Sequence, residues 1–374
     1  MPGRSSSPLF NASGRARELR ASPLFAIGPS KPGPALRRGA LLAAPIGLVL
    51  IVELGFDNPT QGAIAVGALI NGFPGMDAPA RPRAAWQGAT APLIGLAGCL
   101  GILSSQTGVT AVLALGLLGL LAGYCFAVSL RLAIVGLSVT LAMLIAQGLF
   151  LPAAEALPAL LWGTIGALTQ VAWSLIVWVA FDKGADEPEK AWDGAAAVAT
   201  LRSNLTLRSE SARHGIRFGV ALAAGVAAYW ILGFDQHGYW VPLTILFVMR
   251  PDRGETDHRL ILRALGTVLG LVVATSLAEA FAGDDLVLGI VLTVAAALSF
   301  GLLTVQYALF TAAITTFVVV MSTTVGEGAV EAAGQRASGT ALGIAIAFLA
   351  WRLWPNPRGA VDLAGQPNVG GAET

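Results

Sequence analysis

The sequence predicts an all-α membrane protein, a polytopic transmembrane bundle of about twelve spans arranged as two parallel six-helix repeats. Apolar residues make up 55% of the 374 positions, charged residues only 12%, and the mean hydropathy is +0.71. A soluble domain carries about 25% charged residues. The stretches 156–181 and 286–326 contain no Asp, Glu, Lys or Arg. Because about 20 apolar residues cross a hydrocarbon core, each stretch holds one or two spans.

Six apolar segments precede a polar stretch and six follow it. The first six lie near 36–54, 61–73, 84–104, 107–128, 132–151 and 157–181. The second six lie near 213–232, 239–249, 258–281, 286–302, 304–323 and 329–354. These segments divide the chain into a cytoplasmic tail, a membrane repeat, a cytoplasmic linker, a second membrane repeat and a second tail, at 1–35, 36–182, 183–212, 213–355 and 356–374. We expect both tails to be disordered, and the first lacks the apolar core of a signal peptide.

Short identities relate the two halves. Gly55-Phe56-Asp57 recurs as Gly233-Phe234-Asp235, and Gly163-Thr164 recurs as Gly339-Thr340. An even number of spans in each half gives both halves the same orientation in the membrane. The identities and the matching hydropathy pattern therefore predict an internal repeat.

The distribution of Lys and Arg predicts the topology. Cytoplasmic loops are enriched in basic residues. With the N-terminus inside, only Arg336 of the 23 basic residues falls toward the outer face. The predicted location is the inner (plasma) membrane, with multiple passes and with both termini in the cytoplasm.

The second segment of each half is short and contains or adjoins Gly and Pro residues. About twelve residues rise roughly 18 Å, whereas the hydrocarbon core is about 30 Å thick. Short, interrupted segments at matching places in two repeats point to a transport site, because unwound backbone must face a cavity. The alternative is a tilted bundle with a short, well-packed helix.

One motif occurs twice in the second half: an arginine followed by Gly-Thr three residues later and by a second Gly, at helical spacing. The two copies consist of Arg263, Gly266, Thr267 and Gly270, and of Arg336, Gly339, Thr340 and Gly343. The glycines predict close helix packing. The guanidinium and hydroxyl groups offer donors for a carboxylate, so we expect both arginines to face a wet passage for an anion. Alternatively, Arg263 snorkels to the headgroups and Arg336 pairs with Glu327 or Glu331.

Other candidates lie beside the second short segment. Tyr239, Trp240 and Arg250 are candidate substrate-pathway residues, although Tyr and Trp are also typical interfacial anchors. Asp235 and His237 are candidates for proton coupling, and the alternative is that His237 is an exposed residue without a role.

Signatures of an enzyme are missing from the sequence. It has no HExxH, no Cys/His cluster with metal spacing and no Walker-type phosphate loop. Cys99 and Cys125 lie inside predicted spans and suggest no disulfide framework. We expect a non-enzymatic protein without a cofactor, a metal or a nucleic-acid partner.

Five short segments resemble the fusaric acid resistance-like (FUSC) family, which is grouped with aromatic acid exporters. They are Leu205–Ser209, Arg213–Arg217, Gly238–Thr244, Arg250-Pro251 and Arg259–Gly270. The resemblance implies an integral inner-membrane transporter that exports aromatic or other organic acids, driven by the proton gradient and often dimeric. The linker is shorter than in longer members, and Arg250 stands where an uncharged polar residue is usual.

These observations lead to one main functional hypothesis and two alternatives. The main hypothesis is a secondary transporter that exports small organic, aromatic carboxylates. The alternatives are a passive organic-anion channel and a membrane scaffold or envelope-assembly protein without transport. The expected partners are the lipid bilayer and a small organic anion, and a homodimer and a periplasmic efflux subunit are further candidates.

Overall fold

Helices form the regular secondary structure of the protein. The computed structural model describes residues 32–54, 61–182, 193–207, 209–234, 238–324 and 328–355. No strand occurs in these ranges. The prediction of an all-α fold is therefore confirmed for the described residues.

Six α-helices occupy the first half. They are α1 (Pro32–Leu54), α2 (Gln61–Asn71), α3 (Ala80–Ser104), α4 (Gly108–Tyr124), α5 (Leu130–Gly148) and α6 (Ala156–Val177). Short 3₁₀ turns follow α4 at Cys125–Ala127 and precede α6 at Ala153–Glu155, and a π-helical turn covers Trp178–Asp182. Side-chain oxygens cap two of these helices, because Thr107 accepts from Thr110 N and Ser129 accepts from Leu132 N.

Seven α-helices occupy the rest of the described chain. They are α7 (Gly194–Ser203), α8 (Glu210–Leu232), α9 (Trp240–Val248), α10 (Arg253–Ala280), α11 (Asp285–Leu302), α12 (Tyr307–Thr324) and α13 (Ala329–Leu353). Each of the twelve apolar segments that the sequence indicates thus contains one helix, and the helix ends differ from the predicted ones by a few residues.

Eight of the described helices are long and apolar enough to cross a membrane: α3, α4, α5, α6, α8, α10, α11 and α12. Large apolar side chains on their outer faces are exposed, such as Leu117 at 62% and Val268 at 64%. In water this surface would be costly, whereas lipid is its natural solvent. The protein is a multi-pass membrane protein.

Helix α7 lies inside the segment that we predicted to be a linker. Its first turn is capped by Asp193, whose Oδ1 accepts from Ala196 N at 2.9 Å. Ala197 is buried, and the Tyr124 hydroxyl donates to the Leu201 carbonyl. A run of alanine favours a helix, and the contact with α4 holds it in place, so this part of the segment is ordered.

The first helix of each half packs against the other half. Helix α1 of the first half packs along α11 of the second half, and α8 of the second half packs along α4 of the first. Within each half, α3 packs on α5 and α6, α10 packs on α12 and α13, α2 packs on α6, and α9 packs on α13. One hydrophobic cluster forms mainly around α3, α4, α5, α8 and α9, and another around α1, α2, α11 and α12.

Glycines allow both of these helix pairs between the halves to approach closely. A Cβ atom on Gly39 of α1 would lie 2.6 Å from the backbone nitrogen of Gly301 in α11. A Cβ atom on Gly219 of α8 would lie 2.5 Å from the carbonyl oxygen of Gly116 in α4. Small residues let helix backbones meet in lipid, so the two interfaces between the halves are built in the same way.

Candidate anion site between α9, α10, α12 and α13

Helix α9 is short because of the residues at its ends. Pro242 is accommodated in its first turn, where a missing N–H costs little. At the other end Met249 is extended, and Arg250 precedes Pro251, a position that disfavours helical backbone. Apart from Phe247, the residues of α9 are buried. The helix therefore lies inside the protein, in contact with α8, α10 and α13.

The two arginine motifs bring α10 and α13 against their neighbours through their glycines. A Cβ atom on Gly270 would lie 2.6 Å from the Ala312 carbonyl oxygen of α12. A Cβ atom on Gly343 would lie 2.6 Å from the Val241 carbonyl oxygen of α9. Gly266 and Gly339, one turn earlier, make equally close contacts with Thr311 and Trp240. The four motif glycines thus lie where neighbouring backbones meet.

The same packing encloses both guanidinium groups. Arg263 and Arg336 are 0% exposed. The guanidinium carbon of Arg336 lies 4.5 Å from the centre of the Trp240 ring, and that of Arg263 lies 5.2 Å from the centre of the Phe247 ring. The two rings belong to opposite ends of α9, so this one helix carries both contacts.

Within the described part of the chain these guanidinium groups have no anionic partner, and the polar group that reaches Arg263 is the Tyr307 hydroxyl. Nε, Nη1 and Nη2 of Arg263 and of Arg336 are buried, and none is paired within the described part of the chain. No described Asp or Glu side chain is buried. A buried charge without a partner is costly in free energy, so each cation lacks the anion that would compensate it.

Four threonine hydroxyls in the two arginine motifs or against the motif glycines of α10 also lack partners among the described residues: Thr267 on α10, Thr311 and Thr315 on α12, and Thr340 on α13. Threonine in a helix commonly donates back to a carbonyl one turn earlier, as Thr244 does to Trp240 O at 3.0 Å. The four hydroxyls are therefore free to donate to a ligand. We missed Thr311 and Thr315 in the sequence, although they follow Tyr307 at intervals of one helical turn.

Residues 220–350 match the model of the family described as fusaric acid resistance protein-like. This segment of the chain is similar to that family. It contains both arginine motifs, α9 and α12. The family resemblance predicted from the sequence is confirmed.

Several bacterial proteins are similar to this chain. The inner membrane protein YccS of Escherichia coli is 36% identical over 176 residues, which cover 46% of this chain and 24% of YccS. An uncharacterized protein of Haemophilus influenzae is 32% identical over 159 residues, 42% of this chain and 22% of that protein. The uncharacterized protein ORF2 of Neisseria gonorrhoeae is 37% identical over 75 residues, 20% of this chain and 18% of that protein.

The matched segment spans less than a quarter of the length of these relatives. No solved structure matches the chain.

The arginines do not face the wet passage that we expected. Both are fully buried, so water does not reach either guanidinium in this conformation. The motif glycines explain the difference, because they let α10 and α13 close on their neighbours. Arg263 does not snorkel to the headgroups either. Arg336 does not pair with Glu331, which is exposed, and Glu327 lies outside the described residues.

Arg250 takes part in the turn between α9 and α10. Its Nη1 donates to Met249 O at 2.7 Å, and its Nε lies 3.7 Å from Glu255 Oε1. Burial, and then the charge of Arg259, lowers the pKa of Arg250 to about 9. The side chain thus remains a cation at neutral pH, with local partners of its own.

Tyr239 and Trp240 are packed inside the fusaric acid resistance-like segment. They are 9% and 3% exposed, and their ring centres lie 4.2 Å apart. Buried side chains cannot serve as interfacial anchors, so the alternative role of these two residues is wrong. The proton-coupling candidates Asp235 and His237 lie outside the described residues.

A network at the predicted cytoplasmic end ties α8, α10 and α13 together. Trp351 Nε1 donates to Thr256 Oγ1 at 3.1 Å, and the guanidinium carbon of Arg217 lies 3.4 Å from the Trp351 ring centre. Arg217 Nη1 also donates to the Trp354 carbonyl at 2.7 Å. We did not predict this network, because its members come from three separate helices.

Proposed function

We propose that this protein is a secondary transporter that exports small organic anions, with aromatic carboxylates as substrates, across the inner membrane. One observation carries the proposal: two guanidinium groups lie fully buried between α9, α10 and α13, and neither has an anionic partner among the described residues. A carboxylate that enters this place gains charge-assisted hydrogen bonds. The site thus favours a small organic anion.

The surroundings of the arginines suit an anion with an apolar body. Trp240 and Phe247 provide aromatic surface beside the guanidinium groups, and the hydroxyls of Thr267 and Thr340 provide further donors. Ligand sites commonly combine apolar walls with a few polar groups that fix orientation. An aromatic carboxylate presents the matching combination of a ring and an anionic group.

The closed packing favours a transporter over a passive channel. In an open channel, water would reach the side chains that select the ion. Here Arg263 and Arg336 are sealed. The site must open to load or release an anion, and we propose the network of Trp351, Thr256 and Arg217 as the inner gate. A scaffold, in contrast, would gain nothing from two uncompensated buried cations.

The packing pattern supports an arrangement of two six-helix repeats, α1–α6 and α8–α13. The contacts of α2 with α6 and of α3 with α5 and α6 have counterparts in those of α9 with α13 and of α10 with α12 and α13. In this arrangement α2 and α9, with 11 and 9 residues, are half-spans inside the bundle. Alternating access would rock one set of helices against the other around α9.

The remaining features of the proposal come from the charge distribution and the family. We place both termini in the cytoplasm, assign no catalytic role or cofactor, and keep a homodimer and a periplasmic efflux subunit as proposed partners. Two halves of the same orientation are compatible with this topology.

A flux assay in proteoliposomes tests the proposal. The purified chain is reconstituted, a pH gradient is imposed, and uptake of radiolabelled benzoate and of other aromatic carboxylates is measured. We expect uptake that collapses when the gradient is dissipated and that Arg263→Gln and Arg336→Gln abolish. Arg253→Gln removes an exposed arginine from α10 and is the matched control. Uptake no greater than in protein-free liposomes would overturn the proposal.

A further inference from the structure

We infer that the site binds a dianion, with one anionic group for each of the two arginines, so that the ligand class is a compact dicarboxylate. The inference rests on the proposed function as an anion transporter and specifies the charge of its substrate. It follows from the buried charges that lack an anionic partner, from the positions of the two guanidinium groups along α9 and from their complete burial.

Among the described residues, buried cationic side chains outnumber buried anionic ones. Among the buried arginines of the described residues, Arg83 and Arg217 donate to Ser174 and to the Trp354 carbonyl. Arg263 and Arg336 add two positive charges without an anionic partner, and no described Asp or Glu side chain is buried. The hydroxyls of Thr267, Thr311, Thr315 and Thr340 can donate but carry no charge. A monoanion would leave one cation uncompensated in a region without water, whereas a dianion compensates both.

The positions of the arginines call for two anionic groups rather than one. Arg336 lies against Trp240 and Arg263 against Phe247. These rings are seven residues apart on α9, which corresponds to about 10 Å along the helix axis. Each arginine is nevertheless near enough for its charge to act on the other, as Arg263 does on Arg336. A single carboxylate brings one negative charge to two guanidinium groups, whereas two carboxylates on one small skeleton give each guanidinium a charged acceptor of its own.

The cost of dehydration also favours the doubly charged ligand. A dianion loses more hydration than a monoanion when it leaves water. However, both guanidinium groups are already out of water in the closed protein. The guanidinium that meets the second carboxylate therefore loses no further hydration on binding. Only the hydration of the carboxylate itself is lost. Buried charges attract more strongly than exposed ones, because the surroundings screen them less.

A matched series of ligands isolates charge from shape. The full chain is purified in detergent, and binding of benzoate, phthalate, isophthalate and terephthalate is measured by titration calorimetry at pH 8. All carboxyl groups are ionised at this pH. At least one of the three dicarboxylates should bind about tenfold more tightly than benzoate, or better, as expected for added hydrogen bonds between charged groups.

Substitutions of the two arginines test whether they cause the preference for a dicarboxylate over benzoate. Arg263→Gln and Arg336→Gln should each reduce the ratio of affinities to about one, because one cation then remains for one carboxylate. Arg336→Lys keeps the charge and should retain a preference for the dicarboxylate, which also shows that the site tolerates substitution. Arg253→Gln, at an exposed position on α10, should leave the ratio unchanged.

The outcomes separate the inference from the proposed function. If benzoate binds as tightly as each of the dicarboxylates, the dianion inference is wrong and anion transport still stands. If none of the four ligands binds, the proposed function itself is contradicted. A preference for dicarboxylates that survives both glutamine variants would also overturn the inference, because the two arginines could not be its source.

Discussion

The guanidinium carbon of Arg336 lies 4.5 Å from the centre of the Trp240 ring, with both side chains buried in the contact between α13 and α9. A cation over an indole face is attracted by the ring, by about 2 kcal/mol or somewhat more when both are desolvated. That attraction is smaller than the cost of keeping an ion away from water. The contact with the Trp240 ring therefore holds the Arg336 side chain in place but does not compensate its charge.

The first prediction concerns the free energy of that uncompensated charge. Arg336→Met removes the ion and keeps much of the volume, so the ligand-free protein should become more stable, by about 1–4 kcal/mol. The stabilisation by added aromatic carboxylate should disappear in the same variant. Thermal unfolding in detergent, with and without ligand, measures both effects. If Arg336→Met is much less stable than the parent without ligand, the arginine has a compensating partner and the site assignment fails.

The second prediction concerns the packing of α13 on α9. In Gly343→Ala the added methyl would lie 2.6 Å from the Val241 carbonyl oxygen, so the helices must separate. We expect a loss of about 1–3 kcal/mol in unfolding free energy. Gly334→Ala on the same helix is the control, since nothing lies within 4 Å of the added atom. The control should be neutral or gain up to about 1 kcal/mol. Equal effects at the two positions would contradict the contact.

The third prediction concerns the network around Trp351. Trp351→Phe removes the hydrogen bond to Thr256 but keeps an aromatic ring beneath Arg217. It should cost about 1 kcal/mol in unfolding free energy. Trp351→Leu also removes the ring and should cost more, by about 0.5–2 kcal/mol. Chemical unfolding of the two variants gives the values. Identical losses would show that the guanidinium–ring contact contributes nothing.

The fourth prediction concerns the topology. In a background without Cys99 and Cys125, Ala282→Cys lies between α10 and α11 and Arg253→Cys lies at the start of α10, and both positions are exposed. A membrane-impermeant maleimide added to intact cells should label Ala282→Cys and not Arg253→Cys. After the cells are opened, both should react. The reverse pattern would mean that the halves are inserted in the opposite orientation.

Much of the fold follows from hydropathy, because apolar segments must form helices wherever lipid cannot pair with the backbone. Each of the twelve predicted segments contains a helix. The short segment at 239–249 becomes α9, with an end set by Arg250-Pro251, a local signal that the sequence carries. Helix α7 was missed because its polar surroundings outweighed its alanine run, and its contact with Tyr124 is not local.

The candidate site was predicted in part. The spacing of Arg263 and Arg336 with their glycines indicates one helix face, and the structure has the glycines at close contacts. Whether those faces are open to water depends on which helices lie opposite, and a single sequence does not contain that information. Thr311 and Thr315 were missed for the same reason, because only the packing of α12 on α10 brings them against the motif glycines Gly266 and Gly270.

The structure of the protein with a bound heavy-atom ligand tests the central claim most directly. With saturating 5-iodoisophthalate, we predict iodine density beside α9 and carboxylate oxygens about 2.7–2.9 Å from the guanidinium nitrogens of Arg263 and Arg336. If both guanidinium groups instead keep their closed packing and the ligand density lies elsewhere, the claim that these two arginines bind the transported anion is wrong.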